Sequence, residues 1–259
     1  LLIKGQYISI YKNLKIKNSP RITHVVNEGD LVTTKPLVAH TMVFIKDSIF
    51  LNLVNGEREH KNYGKTHTIP YELVNKEEKN FLFASYKFEC RVCGSKKLKR
   101  IISLGFQPHA NNLSNKKNSN KTYPLELNLC VECRNVQLSI IPNFNTLFSK
   151  YFYKSSVSNS FSKHFFNAAE DYISEFNLKK SSFIVDIGSN DGVGLIPFKT
   201  KGFKNLLGIE PAHNLAKESR KKGLKILNEF LTKNTLNKIS KKADLILASN
   251  VFAHADNLM

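Results

Sequence analysis

Phe183-Ile-Val-Asp-Ile-Gly-Ser-Asn-Asp-Gly-Val-Gly194 decides how this chain is read. Strand-forming residues run into a loop of glycines and small polar residues, and Leu195 to Lys201 can then turn as a helix. Asp186, Gly188 and Gly192 spell DxGxxxG, in which glycines let the backbone approach a ligand and the following helix offers free N–H groups. The pattern is not GxGxxG, so a dinucleotide pyrophosphate is not indicated.

A second short apolar run, Leu206-Leu-Gly-Ile-Glu210, ends in a carboxylate. Glu210 follows Gly188 at about the distance at which nucleotide-binding α/β folds place an acid on ribose hydroxyls. A third run, Ala243-Asp-Leu-Ile-Leu-Ala-Ser-Asn250, reads as a further strand. Helix-length segments follow the strands, Ala212 to Lys222 before Gly223 and Lys233 to Lys241, so a parallel sheet with crossovers is expected. These features together resemble the adenosylmethionine-binding core of Rossmann-like methyltransferases. Ser158 to Leu178, with apolar residues at Phe161, Phe165, Ala169, Tyr172 and Phe176, predicts an amphipathic helix capped by Ser158 or Ser160.

Upstream, Cys90-Arg-Val-Cys93 and Cys130-Val-Glu-Cys133 use every cysteine of the chain. Two CxxC turns supply four thiolates, the tetrahedral set of a structural Zn²⁺ with no open position for catalysis. The interval between the pairs is expected to hold a strand and a loop, including the polar run Asn111 to Lys121.

The residues around these cysteines stand in one order: Ser103-Leu-Gly-Phe-Gln-Pro108-His-Ala-Asn-Asn-Leu113, Tyr123-Pro-Leu-Glu-Leu127, Asn135-Val-Gln-Leu138, Tyr151-Phe-Tyr153-Lys-Ser-Ser156 and His164. With Val185-Asp-Ile-Gly-Ser-Asn-Asp-Gly192, Gly208-Ile-Glu-Pro-Ala212 and Asn250-Val-Phe-Ala-His254, that order resembles the C-methyltransferases of nucleotide-activated 4-keto-deoxysugars. The resemblance covers residues 88 to 259. It implies S-adenosylmethionine as cofactor, structural Zn²⁺ on Cys90, Cys93, Cys130 and Cys133, and a nucleotide-sugar substrate. It further implies cofactor binding by Asp186, Gly188, Ser189, Asn190, Gly192, Glu210 and Asn250, and active-site positions for Tyr151, Tyr153 and His254. By themselves the tyrosines are as readily aromatic packing, and His254 a helix-start residue. The implied reaction is deprotonation beside a ketone, then attack of the enolate on the sulfonium methyl. A family sheet has more strands than this chain supplies, so a truncated core that binds cofactor without turnover is expected.

Residues 1 to about 80 alternate as short strands do, from Leu2-Ile3 to Ile49-Phe50-Leu51-Asn52-Leu53, which suits an all-β barrel or sandwich. Gly29-Asp-Leu-Val-Thr-Thr-Lys-Pro36-Leu-Val-Ala-His40 resembles the second motif of cupins, which implies a metal-ligand role for His40. A lone histidine in a strand is more often a packed core residue, and a metal site needs further ligands. Only the later part of such a barrel is expected. Residues 55 to 64 and 75 to 80 read as a solvated loop and a linker.

The expected architecture is therefore multidomain α+β: a partial cupin-like β domain (1–80), a zinc-binding module (88–157) and a truncated Rossmann-like methyltransferase core (158–259). The 41% hydrophobic content suffices for buried cores, and no apolar run reaches bilayer length, so a soluble, cytoplasmic protein is expected with no membrane partner. The net charge of +18 is spread over lysine pairs such as Lys116-Lys117 and Lys241-Lys242, with no recognition motif, so nucleic acid is not expected as a partner. Two other classes remain as alternatives: a sugar isomerase or epimerase activity in the amino-terminal barrel, or a non-catalytic zinc-stabilised nucleic-acid-binding module.

Overall fold

The computed structural model describes residues 1–53, 71–111, 122–142 and 144–255. The chain forms two compact units, Leu1–Ile141 and Pro142–Met259. The boundary falls at Pro142, so the segment carrying Tyr151 and Tyr153 belongs with the glycine loop rather than with the cysteines.

The first unit carries β1 (Leu2–Lys4), β2 (Gln6–Asn13), β3 (Ile22–Asn27), β4 (Val38–Phe44), β5 (Ile49–Phe50), α1 (Lys76–Ser85), β6 (Leu98–Pro108), β7 (Thr122–Cys130) and β8 (Val136–Leu138). Antiparallel β3-β2-β4, β1-β5 and β6-β7-β8 are separate sheets among the described residues. Alternation along β2 sends Ile8 and Ile10 into a core with Val43, Leu73, Val74, Leu82, Tyr86 and Ile140, and Tyr7 to the opposite face with Leu2 and Val26. The amino-terminal strands and the cysteine module therefore share one core. His40 lies on β4 opposite Tyr11 and is exposed, neither packed inside nor grouped with other possible metal ligands among the described residues.

The expected linker at 75–80 is instead the start of α1. Asn75 accepts from the Glu78 N–H at 2.9 Å while the Glu78 carboxylate accepts from the Asn75 N–H at 3.1 Å, a capping box legible as Asn-x-x-Glu. Leu82 then buries the helix against β2 and β4. The expected loop at 55–64 lies outside the described residues, as does all but Asn111 of the polar run 111–121.

Buried polar contacts bind the first unit together. Glu126 on β7 is 1% exposed and accepts from the Thr23 hydroxyl, from Tyr86 Oη at 3.2 Å, from Ser103 Oγ at 3.3 Å and from Arg100 at 3.3 Å. Arg100 also donates to the Thr23 carbonyl. Burial, then the Glu126 charge, pushes the Tyr86 hydroxyl pKa upward, so it remains a donor. Arg21 pairs with Glu78 at 3.1 Å, donates to the Leu73 carbonyl and to Thr122 Oγ1, and stacks over Phe106 at 4.2 Å.

The second unit carries α2 (Phe144–Phe148), α3 (Asn159–Glu175), β9 (Phe183–Ile187), α4 (Ile196–Thr200), β10 (Asn205–Ile209), α5 (His213–Lys221), β11 (Lys225–Leu227), α6 (Lys233–Leu236) and β12 (Leu245–Leu247), with 3₁₀ turns at Ser155–Val157 and Phe252–His254. The Ser158 side chain caps α3 as its sequence predicts, accepting from the Phe161 N–H. All strand pairs are parallel in the order β11-β10-β9-β12. That is the 3-2-1-4 order of a doubly wound fold, whose switch point lies between β9 and β12. Ligands of such sheets bind at the carboxyl ends of the strands beside that point, where Gly188, Glu210 and Asn250 lie. Among the described residues, no helix is long and apolar enough to cross a membrane.

Replacing Glu126 by alanine takes the acceptor from the buried Thr23 and Tyr86 hydroxyls and from Ser103, and leaves Arg100 with the Thr23 carbonyl. We expect a loss of about 3 kcal/mol, read in denaturant unfolding and as faster hydrogen exchange in β3 and β7; unchanged stability would show that the buried carboxylate binds nothing together.

Candidate functional site

Glu210 leaves β10 at its carboxyl end and is 5% exposed. One oxygen accepts from the Asn190 N–H at 2.7 Å and the other from the Ala212 N–H at 2.8 Å. The carboxylate thus faces the glycine bend, and each oxygen keeps a further lone pair for another donor, such as a ribose hydroxyl. Burial raises its pKa, against the pull of the Ala212 and Asn190 amides.

The bend is tight on every side. Gly188 and Gly192 sit at φ 67° and 87°, and a Cβ on either would come within 2.6 Å of Val251 or 2.4 Å of Leu224. Gly194 leaves room for a different reason, since a Cβ there would lie 2.7 Å from Asp186 Oδ2. Asp186, at the end of β9, is 6% exposed; burial, then the charge of Glu210, pushes its pKa up to about 8. Of the two neighbouring carboxyls, Glu210 has amide donors and Asp186 has none among the described residues, so the proton resides on Asp186.

The other expected cofactor residues divide by direction. Ser189 is 2% exposed, and its hydroxyl packs against Gly208 on β10 with no hydrogen-bond partner among the described residues. Asn190 takes φ 50°; its side chain accepts from the Ser155 N–H at 3.0 Å and donates to the Tyr153 carbonyl at 3.2 Å. Asn250 is exposed in a turn at φ 56°, just beyond β12, which ends at Leu247 instead of reaching 250. Its neighbour Val251 touches the glycine bend, so the two motifs adjoin through the backbone and an apolar contact.

Tyr151 and His254 both lie near Phe148, with ring centroids 5.9 and 5.5 Å from it. Tyr153 is 55% exposed. Two residues of this region carried no local sequence signal. Asp191, 1% exposed, accepts from the Ser156 hydroxyl and pairs with Lys222 at 3.0 Å. Asn214 on α5 accepts from the Tyr151 N–H at 3.1 Å and donates to its carbonyl at 2.7 Å. Both contacts span more than thirty residues of sequence, beyond any helix or strand periodicity.

In the first unit all four Sγ atoms lie within 4.8 Å of one another, with Cys90–Cys133 at 3.5 Å and Cys93–Cys130 at 3.6 Å. Four sulfurs on one tetrahedral zinc stand ~3.8 Å apart given ~2.3 Å Zn–S bonds, so the donor set fits Zn²⁺. The two knuckles match: Gly94 and Arg134 each donate their N–H back to the first cysteine of the pair, at φ 72° and 65°. At Cys90 burial raises the thiol pKa, but the amides of Cys93 and Val92 and the adjoining thiols outweigh it and bring it down to about 6. At Cys133 the Asn135 amide pulls the other way, yet burial and the neighbouring sulfurs push it up to about 12. Backbone amides draw the Cys130 thiol down as well, while neighbouring thiols push Cys93 up, so two thiols are eased toward the thiolate and two are held back, the crowding of negative charge that a divalent cation resolves.

A parallel sheet with an acid and a glycine bend beside its switch point, in a chain that also folds a four-cysteine cluster able to hold a metal ion, defines a doubly wound α/β unit joined to a cysteine module. Residues 90–148 match the methyltransferase family model described as "Putative zinc binding domain". The C-methyltransferase NovU of Streptomyces niveus is 27% identical over 176 residues, which are 66% of this chain and 42% of that protein. The chain is thus similar to a methyltransferase-family zinc-binding domain over residues 90–148 and to a C-methyltransferase over 176 residues. The chain spans about two fifths of the length of that relative. A solved structure, magnesium protoporphyrin IX methyltransferase (ChlM) from Synechocystis PCC 6803 with bound SAM, shares 16% identity over 36% of this chain and 46% of its own, at a TM-score of 0.30, too low to establish a common fold.

Two measurements test the site. Asp186 is protonated in the folded protein up to about pH 8 and ionises near 3.8 when unfolded, so the folded state holds the extra proton between those values. Stability of the second unit is expected to fall as pH rises through that window, and Asp186→Asn to flatten the slope in urea titrations. Metal analysis of protein prepared without added zinc is expected to find zinc, and Cys130→Ser to remove it; undiminished zinc in that variant would place the metal elsewhere.

Proposed function

We propose that the second unit binds S-adenosylmethionine and that the protein of which these residues form part transfers its methyl group to a carbon of a nucleotide-activated keto-deoxysugar. The observation that carries the reading is the Glu210 carboxylate turned onto the glycine bend at the switch point of a parallel sheet. Likeness to a C-methyltransferase supports the reaction class. The sugar class rests on the motif order from Ser103 to His254 and the spacing of its three segments.

The bound cofactor supplies an electrophilic methyl on a sulfonium centre. Glu210 holds the ribose hydroxyls through its free lone pairs while its amide contacts keep the carboxylate aligned. Gly188 and Gly192 allow the backbone to pass beneath the methionine part, and Val251, behind Gly188, closes that side. Tyr151 and His254, gathered around Phe148, are the groups we assign to the sugar, a role supported by their motif positions. The four thiolates hold Zn²⁺ as a fold-building ion in the first unit, whose amino-terminal strands carry the cupin-like motif within the same core.

Calorimetric titration with S-adenosylmethionine tests the proposal. The wild-type chain is expected to bind, and Glu210→Ala to weaken binding by roughly 1–3 kcal/mol, the cost of leaving hydroxyls without an acceptor. Equal affinity in the variant would place the ribose away from this acid.

A further inference from the structure

Residues 151–156 form a strap with little regular structure and little buried apolar surface. Phe152 and Tyr153 are 53% and 55% exposed. Several of its backbone groups, those of Tyr151, Tyr153 and Ser155 among them, bond to side chains from elsewhere in the unit, which places its docking in a few hydrogen bonds rather than in a core. Asn214 brackets Tyr151 through both its N–H and its carbonyl, in the manner of a paired strand. Asn190 brackets the next part, accepting from the Ser155 N–H and donating to the Tyr153 carbonyl. Asp191 takes the Ser156 hydroxyl, and Lys154 pairs with Glu218 at 2.6 Å on the surface.

Asn190 is the joint. Its own N–H donates to Glu210, its carbonyl accepts from Ser219 Oγ at 3.0 Å, and its φ of 50° is one that asparagine visits more readily than most residues with a side chain. Any change at the bend that turns this residue alters both strap bonds together. Beside it, Asp191 Oδ1 is buried without a hydrogen-bond partner among the described residues, an unfilled acceptor at the same joint.

We infer that the strap is a positioning device coupled to the glycine bend: occupancy of the bend by an adenosyl ligand fixes Asn190, and Asn190 with Asn214 fixes the segment that presents Tyr151 and Tyr153 to the second substrate. Asn190 and Asn214 are positioning residues in this scheme, acting through the strap. The inference rests on the adenosyl reading of the bend. It makes the nucleoside ligand the one that sets the strap, so the methyl acceptor binds better to the loaded protein.

The test is hydrogen exchange of the 259-residue chain with and without S-adenosylmethionine, beside calorimetric affinities for wild type, Asn214→Ala and Asn205→Ala. Asn205 donates to the Ser181 carbonyl at 2.7 Å, a bond of the same type remote from the strap. We expect the ligand to slow exchange at Tyr151 to Val157 in the wild type. Asn214→Ala should speed exchange there in the free protein and weaken the ligand about 2- to 10-fold, the worth of one or two such bonds, while Asn205→Ala leaves the affinity unchanged. Ligand binding with no change in strap exchange overturns the coupling and leaves the cofactor reading standing, as does an Asn214→Ala affinity equal to wild type. Faster exchange spread equally through α5 and β10 in Asn214→Ala overturns it too, since that marks general loosening. Absence of binding by the wild type overturns both readings.

Discussion

A carboxylate that accepts two backbone amides from different segments organises the second unit. Glu210 stands at the end of β10, and its bonds to Asn190 and Ala212 tie the glycine bend after β9 to the entrance of α5. Charge-assisted bonds of this kind are stronger than neutral ones and gain weight in a low-dielectric setting. Everything that defines the ligand end of the sheet is measured from this group: the position of Asn190, the strap that Asn190 holds, and the retained proton on Asp186 next door. The register of β9, β10 and β11 places these pieces at one end, since Asp186 lies opposite Gly208 and Ile187 opposite Ile209. Parallel strands allow that alignment because every strand ends on the same side.

The first unit obeys a different constraint. Its sheets are small and separate, and no single sheet has a face large enough to make a core alone. Shared apolar packing does part of the work, and the rest falls to Glu126, Arg100 and Arg21, which draw β3, α1, β6 and β7 into one body. The four thiols close the far end of β7, where two matched knuckles rely on left-handed residues to turn the chain back. A buried carboxylate with four donors and a cluster of four sulfurs are both costly when incomplete. Their completeness explains how so little regular structure holds together.

Much of the ligand end was legible in order of residues. The bend with its glycines, the acid at the end of the next strand, the cap of α3 by Ser158 and the two cysteine pairs all announce themselves through local spacing. Local spacing also carries the Asn75 and Glu78 capping box, which begins a helix where the polar composition suggests a linker. The last strand is shorter than the run Ala243 to Asn250 suggests: it ends at Leu247, and Asn250 sits in a turn with a positive φ. Ser189 looks like a ligand residue in its motif, yet the Cβ-free position at Gly208 receives its hydroxyl.

The sequence by itself determined the class of each part: strand, glycine turn and helix in the second unit, thiolate pairs and alternating strands in the first. Those follow from backbone geometry and from metal-ligand chemistry, which act over a few residues. Only the tertiary structure decided which segments meet. It joined the amino-terminal strands to the cysteine module, gave the Tyr151 to Ser156 strap to the glycine bend, and buried Asp191 and Glu126 among partners many residues away. Hydrogen bonds between side chains and distant backbone have no periodicity, so their partners exist only once the chain has folded.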